Sequence, residues 1–277
     1  MSKELKRIYF FLITIFFMCI TVFPHLFLHI NNTIDSMKVK SILMLKEKKD
    51  SKVNIYSDKA NIIIMFDDGW KSQYTVAYKY MNQRNIVGSV SVIPKMVNEM
   101  YYMNKSDLYT LYDSNWDILN HTYSHKNLNK ISKKEQVSEI VKADKWLDKN
   151  GFINSNKVLI YPEGDYNSDT VRIMKKLNYT SGRSVVEGFN NKKIFKPYSN
   201  KVKNILTHTN PKDVCSWIDY AIDHNLTLIL LFHRLESDTS GSLMKYKKEH
   251  FYKIIDYIDE RRDDLNIITY SDWLLVN

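Results

Sequence analysis

The sequence predicts an α/β fold of parallel strands joined by helical crossovers. Three observations carry that expectation: short apolar runs that stop at ionisable residues, amphipathic stretches that alternate with those runs, and no internal repeat or low-complexity tract in the 277 residues. A chain of this length can bury one substantial core and still carry an appendage.

The clearest run is residues 62–66, which ends in Asp67-Asp68-Gly69-Trp70. A strand followed by Asp-Gly is a common turn, but two adjacent carboxylates at its C-terminal end must be solvated, paired or bound to a cation. A second run, 116–120, leads into His121-Thr122-Tyr123-Ser124-His125. Histidines four apart fall on one side of a helical turn or tight loop, where neutral ring nitrogens can share an ion with a carboxylate. The spacing alone is weak, because His25 and His29 repeat it inside an apolar N-terminal stretch. A third run, 226–232, stops at His233, and a fourth, 158–160, leads into Tyr161-Pro162-Glu163-Gly164, where Pro and Gly frame a rigid loop. Parallel strands gather their C-terminal ends on one face, and functional residues collect there. Helices are expected over 71–83, 133–149, 168–177, 211–223 and 246–262, with a closing strand over 266–269. The pattern leaves open whether the sheet closes on itself.

Taken in order, these residues resemble the polysaccharide deacetylases with the NodB homology domain, carbohydrate esterase family 4. The first motif of that family, Thr-Phe-Asp-Asp-Gly, is similar to Met65 to Gly69, with Met in place of Thr. The second, His-Ser/Thr-x-x-His, matches His121 to His125, and the last, Leu-x-x-His, matches Leu230 to His233. The third, Arg-x-Pro-Tyr-Gly, keeps Pro162 and Gly164 but has Ile160 in the Arg position and Glu163 in the aromatic one. The loop also looks similar to the Tyr-Pro-x-Gly-Asp-Tyr-Asn of deacetylases that act on exopolysaccharides. The resemblance covers residues 59–277.

The resemblance implies a distorted (β/α) barrel of about seven parallel strands and a hydrolase that removes N-acetyl groups from N-acetylglucosamine-containing polysaccharide. It implies Asp68, His121 and His125 as ligands of a divalent ion, most readily Zn2+, with an open coordination position suited to catalysis. Asp67 would be the general base and His233 the general acid that protonates the departing amine. The backbone N–H of Glu163 would face the oxyanion, with Pro162 and Trp70 at the substrate. The departures matter: the absent Arg normally pairs with and orients the base, so with Ile160 there either another cation takes over or activity is weakened, and Glu163 adds a negative charge near the oxyanion unless it points to solvent or binds a cationic sugar. A catalytically silent glycan-binding protein on the same fold is therefore an alternative. A glycosidase is a poorer one, because the adjacent Asp67 and Asp68 cannot flank a glycosidic bond unless another carboxylate, such as Asp165, joins one of them.

Ahead of this region, Lys3, Lys6 and Arg7 precede an almost wholly apolar stretch, 8–30. Its length suits a bilayer span of about 20 residues better than a signal-peptide core of about 7 to 15, and it is expected to be an uncleaved membrane anchor, with a signal peptide as the alternative. Residues 31–58, polar and lysine-rich, read as a tether, and 59–277 as the catalytic domain. Lysines on both sides of the span make charge a weak guide to orientation. The extracellular polymers that the family acts on place the domain outside the cell membrane. The net charge of +9, from 40 Lys+Arg against 31 Asp+Glu, reads first as a solvated basic surface; with no nucleic-acid motif beside it, anionic headgroups or wall polymers are better partners than nucleic acid. Two cysteines, Cys19 and Cys215, define no disulfide framework, and the sequence does not fix an oligomeric state.

Overall fold

In the computed structural model, residues 59–152, 157–191 and 194–275 are described. The anchor expected at 8–30 and the tether at 31–58 lie outside them. Among the described residues no helix is long and apolar enough to cross a membrane.

Seven parallel strands form a closed barrel: β1 (Ala60–Phe66), β2 (Ser89–Val92), β3 (Asp117–Asn120), β4 (Val158–Ile160), β5 (Ser181–Glu187), β6 (Asn200–Asn204) and β7 (Thr227–Phe232), with β7 paired back onto β1. Closure is extensive, since β1 and β7 are in register from Asn61↔Thr227 to Phe66↔Phe232. Two short strands, β8 (Arg234–Glu236) and β9 (Lys245–Lys247), pair with each other outside the barrel. A last strand, β10 (Leu265–Ile267), adds to the start of β1, while β2 takes its end.

The helices pack around the ring. They are α1 (Lys79–Asn82), α2 (Lys105–Asp113), α3 (Lys133–Lys149), α4 (Ser168–Lys176), α5 (Pro211–Asp223), α6 (Lys248–Glu260) and α7 (Tyr270–Leu275). Their starts follow capping chemistry: Ser132 and Glu135 form a reciprocal capping box on α3, and α5 has Asn210 at the N-cap with Pro211 next. The expected helix over 71–83 is present but wider in its first part, where Gln73–Tyr78 is a π-helix. Strands β2, β5, β6, β8 and β9 and helices α2 and α7 were not expected from the pattern.

Alternation along the strands divides the interior into layers. Ile63, Met65, Leu119, Val158, Ile160, Val202, Ile229 and Leu231 pack together as an apolar middle inside the ring. The other parity, including Ile62, Ile64, Phe66, Val90, Ile118, Leu228 and Phe232, packs outward against the helices. Continuing the inward parity upward along β1, β3 and β7 gives Asp67, His121 and His233, all at C-terminal strand ends.

Continuing it downward gives a polar floor, sealed by α7. Tyr270 and Trp273 of that helix join the apolar middle. The Tyr270 hydroxyl lies 2.9 Å from Ser181 Oγ and accepts from Asn200 Nδ2 at 2.7 Å. The backbone N–H of Tyr270 donates to Ser89 Oγ at 2.8 Å, and that of Ser271 to Asp117 Oδ2 at 2.7 Å. Asp117 thus satisfies an orphan N–H at the start of α7 from inside the barrel.

Burial pushes the Asp117 carboxyl up to about 6, against the ordinary 3.8, even though the Ser271 N–H and Ser89 hydroxyl favour its charged form. The folded chain therefore holds a proton there that the unfolded chain releases near pH 4. On this group's account, stability is greatest below pH 4 and falls as pH rises towards 6, by roughly 3 kcal/mol at most. Asp117→Asn keeps an acceptor for the Ser271 N–H and has no charge to bury. Urea unfolding at pH 4 and pH 7 should show the variant gaining on the parent across that interval; an unchanged difference at the two pH values would refute the account.

Candidate active site

The strand ends at the C-terminal face bring Asp67, Asp68, His121, His125 and His233 together. Register does this first. Phe66 pairs with Phe232, so Asp67 and His233 emerge side by side, and the Asp67 N–H donates to the Phe232 carbonyl at 3.0 Å. Gln73, the first residue of the π-helix, then ties the two ends: its Nε2 donates to the carbonyl of Asp67 and, at 3.0 Å, to that of His233.

Asp68 takes the left-handed conformation, φ 76°, which turns its side chain away from that of Asp67. Its Oδ1 lies 3.4 Å from His121 Nε2 and 3.4 Å from His125 Nε2. The ligand atoms of these three residues all fall within 4.8 Å of one another. The Nδ1–H of His121 donates to the Ile160 carbonyl at 2.9 Å, so in the neutral ring Nε2 carries the lone pair that faces Asp68.

The loop that presents the histidines is wound tightly. Thr122 and His125 sit at φ 62° and 60°, and a β-branched residue at positive φ is strained. Local hydrogen bonds hold it there: Asn120 Oδ1 accepts the Thr122 N–H at 2.8 Å, and Thr122 Oγ1 accepts the His125 N–H at 3.2 Å. Buried Glu139 of α3 fixes the loop tip by accepting from both the N–H and the hydroxyl of Ser124, each at 2.8 Å.

The third motif region departs from the family pattern, and the structure shows what fills the gap. Ile160 packs in the apolar middle, and its register partner on the next strand is Arg183. The buried Arg183 guanidinium forms an ion pair with both oxygens of Asp67 through Nη2. Ser91 Oγ adds a 2.8 Å bond to Asp67 Oδ1. The cation therefore comes from one strand over. The sequence signal was thin: one arginine in Ser181-Gly182-Arg183-Ser184, a run too small and polar to read as a core strand.

Pro162 is buried and starts a 3-10 turn through Gly164. Glu163 within it sits at φ 57°, exposed, and its carboxylate accepts from Asn127 Nδ2 at 2.6 Å with Lys130 Nζ 3.8 Å away. Those partners hold its charge on the rim. Gly164 has no substitute here, since a Cβ would lie 2.3 Å from Val185 Cγ2. Trp70 stacks on Tyr102 at 4.3 Å, has the Arg234 guanidinium 4.6 Å from its centroid, and donates from Nε1 to Asp68 Oδ2 at 2.9 Å.

Electrostatics separates the carboxylates from the histidines. Burial pushes the Asp67 carboxyl up, but Arg183, His121 and His233 outweigh it and hold Asp67 below the ordinary carboxylate range. Burial likewise raises Asp68, and the three histidines bring it well below that range. Burial lowers His121, yet Asp67 and Asp68 more than reverse this and its proton affinity rises. His125 and His233 go the other way, since burial dominates both. The buried Nδ1 of His233 has no hydrogen-bond partner among the described residues.

The polysaccharide deacetylase family model matches residues 55–182. A putative polysaccharide deacetylase of Bacillus subtilis is 25% identical over 151 residues, 54% of this chain and 51% of that protein. A poly-β-1,6-N-acetyl-D-glucosamine N-deacetylase of Staphylococcus aureus is 29% identical over 143 residues, 47% of this chain and 49% of that protein. A family 4 carbohydrate esterase from Streptomyces lividans, solved with acetate, superposes with a TM-score of 0.51 at 13% identity, covering 74% of this chain and 90% of that one, a likeness of fold. The barrel has the fold of the family 4 carbohydrate esterases. Over residues 55–182 the chain is similar to the polysaccharide deacetylase family, and it spans about half the length of the curated relatives it matches.

Arg183→Met should be severely destabilising, because it strands a buried carboxylate without its cation, at a cost of about 3–5 kcal/mol. Adding Asp67→Asn should recover most of that loss. Denaturant midpoints of the two single variants and the double variant test the coupling; additive effects would show that the pair contributes nothing as a pair.

Proposed function

We propose that this protein is a metal-dependent N-deacetylase of N-acetylglucosamine-containing polysaccharide, with exopolysaccharide or cell wall as the substrate class. One observation carries the reading: Asp67, kept ionised by Arg183, stands beside an Asp68-His121-His125 cluster with His233 on the adjoining strand end. The glycan-binding alternative rested on the missing cation at Ile160, and Arg183 removes that motive. The family relationship and the Staphylococcus aureus relative support the substrate class.

The cluster fits a divalent ion of the zinc kind. Its donors are one carboxylate oxygen and two imidazole nitrogens, the His121 tautomer leaves Nε2 free, and a borderline-soft ion accepts that set. When bound, such an ion polarises a carbonyl and makes water acidic enough to attack near neutral pH.

The chain's own residues divide the proton work. Asp67 accepts a proton from the water that adds to the acetamide carbonyl. Its low proton affinity is suited to staying ionised before the attack, and Arg183 and Ser91 fix its direction. By likeness to the family's third motif, the Glu163 N–H in the 3-10 turn at Pro162 would serve as a donor to the developing oxyanion. His233 delivers a proton to the amine as the C–N bond breaks, so acetate and a free glucosamine amine result. Its lowered proton affinity makes it a willing donor once charged. The Glu163 carboxylate, held by Asn127 and Lys130, stays out of that path.

Residues 8–30 would anchor the chain in the cell membrane, 31–58 would act as the tether, and 59–277 would work outside it. Removal of residues 1–30 should shift the protein from the membrane fraction to the soluble one; a full chain already soluble after export would point to a cleaved leader.

The decisive measurement is acetate release from N-acetylglucosamine oligomers by metal-loaded protein. Asp67→Asn and His121→Ala should each lower the rate by about two orders of magnitude or more, and a chelator should abolish it reversibly. Metal binding without acetate release from oligomers or peptidoglycan would overturn the enzymatic reading.

A further inference from the structure

The Asp68 carboxylate has two oxygens, and only Oδ1 faces the histidines. The other is held. Trp70 Nε1–H donates to Oδ2 at 2.9 Å, while Oδ1 stays 3.4 Å from Nε2 of both His121 and His125. We propose that Trp70 is a positioning residue for the metal-ligating carboxylate, selecting which oxygen of Asp68 is presented to the ion.

The indole is itself immobilised. Tyr102 stacks on it at 4.3 Å with planes 23° apart, Trp70 and Tyr102 form an antiparallel bridge, and Arg234 lies 4.6 Å from the ring centroid. Arg234 is fixed in turn by an ion pair with Glu236, which also binds Lys245 at 3.3 Å across the β8–β9 pair. The β8 strand follows His233 directly, and Ser72 Oγ accepts the Leu235 N–H at 3.0 Å. One segment, 233–236, therefore delivers His233 to the site and clamps the indole that orients Asp68 across it.

Asp68 needs such a partner. Its backbone is at φ 76° and its side chain is only 17% exposed, so a carboxylate free to rotate there would spend time with both oxygens near the ion or with neither aligned. A hydrogen bond to the non-ligating oxygen removes that freedom before the ion arrives. Partners of this kind are typically worth about 10- to 100-fold in metal affinity.

The inference rests on the metal reading of Asp68, His121 and His125, and the experiment separates the two. Zinc affinity is measured by competition with a chelating dye on the full chain, for the parent and for Asp68→Asn, Trp70→Phe and Trp70→His, alongside the melting temperature of each metal-free protein. Trp70→Phe keeps an aromatic ring beside Tyr102 and Arg234 but loses the N–H donor along with the second ring of the indole. It should bind zinc about 10- to 100-fold more weakly with an unchanged metal-free melting temperature, and Trp70→His, which restores an N–H, should recover part of the loss. Parental zinc affinity in Trp70→Phe, or a loss matched by a lower metal-free melting temperature, would overturn the positioning role. No zinc binding by the parent, or binding untouched in Asp68→Asn, would instead overturn the metal reading.

Discussion

The buried ion pair between Asp67 and Arg183 sets the terms for the rest of the site. A carboxylate sealed at the end of an apolar strand would ordinarily take up a proton, since desolvation penalises its charged form more than any other influence. Arg183 reverses that outcome, and neither partner could occupy this interior alone. The pair also dictates strand register. A slip of one residue in β5 would carry Arg183 to the outer face and send Ser184 inward. The Ile160↔Arg183 pairing between β4 and β5 is thus part of the electrostatics.

Around that pair the barrel separates functions by height. The apolar middle from Ile63 to Leu231 insulates two polar layers, each with a buried carboxylate in a different state. Above it, Asp67 is stabilised as an anion by a full positive charge. Below it, Asp117 has only hydroxyl and backbone donors and holds its proton more tightly. The same residue type, within one barrel, is set to opposite tendencies by whether a cation stands beside it. The loops add strain where the ligands are needed: Asp68, Thr122, His125 and Glu163 all occupy positive φ, whereas among the described residues five of the other six non-glycine residues there are asparagines, which tolerate it.

How much of this could be read from the sequence follows from the same layering. Strands β1, β4 and β7 are apolar on both faces and announce themselves, and helix α3 carries a capping box at its start. Strands β2, β5 and β6 read Ser-Val-Ser-Val, Ser-Gly-Arg-Ser-Val-Val-Glu and Asn-Lys-Val-Lys-Asn, because their inward positions are spent on the polar layers. The ordered motifs placed Asp67, Asp68, His121, His125 and His233 at strand ends, where the structure brings them together. Arg183 escaped notice because its partner is 116 residues away, and only the strand order reveals that β5 lies next to β4. Trp70 was legible as a residue beside the carboxylates, but its hydrogen bond to Asp68 required the turn at Asp68 to be seen.

Ring closure has a consequence for how the chain comes to be folded. The β1–β7 ladder that completes the barrel joins residues such as Asn61 and Thr227, 166 positions apart. Until β7 is available, β1 is a largely apolar seven-residue strand with an open edge, the kind of segment that pairs with the wrong neighbour. Even then the interior stays open from below until Tyr270 and Trp273 dock. Synthesis of nearly the whole domain must precede its cooperative collapse, so folding is slow and late, and chaperones have a long interval in which to hold the nascent chain.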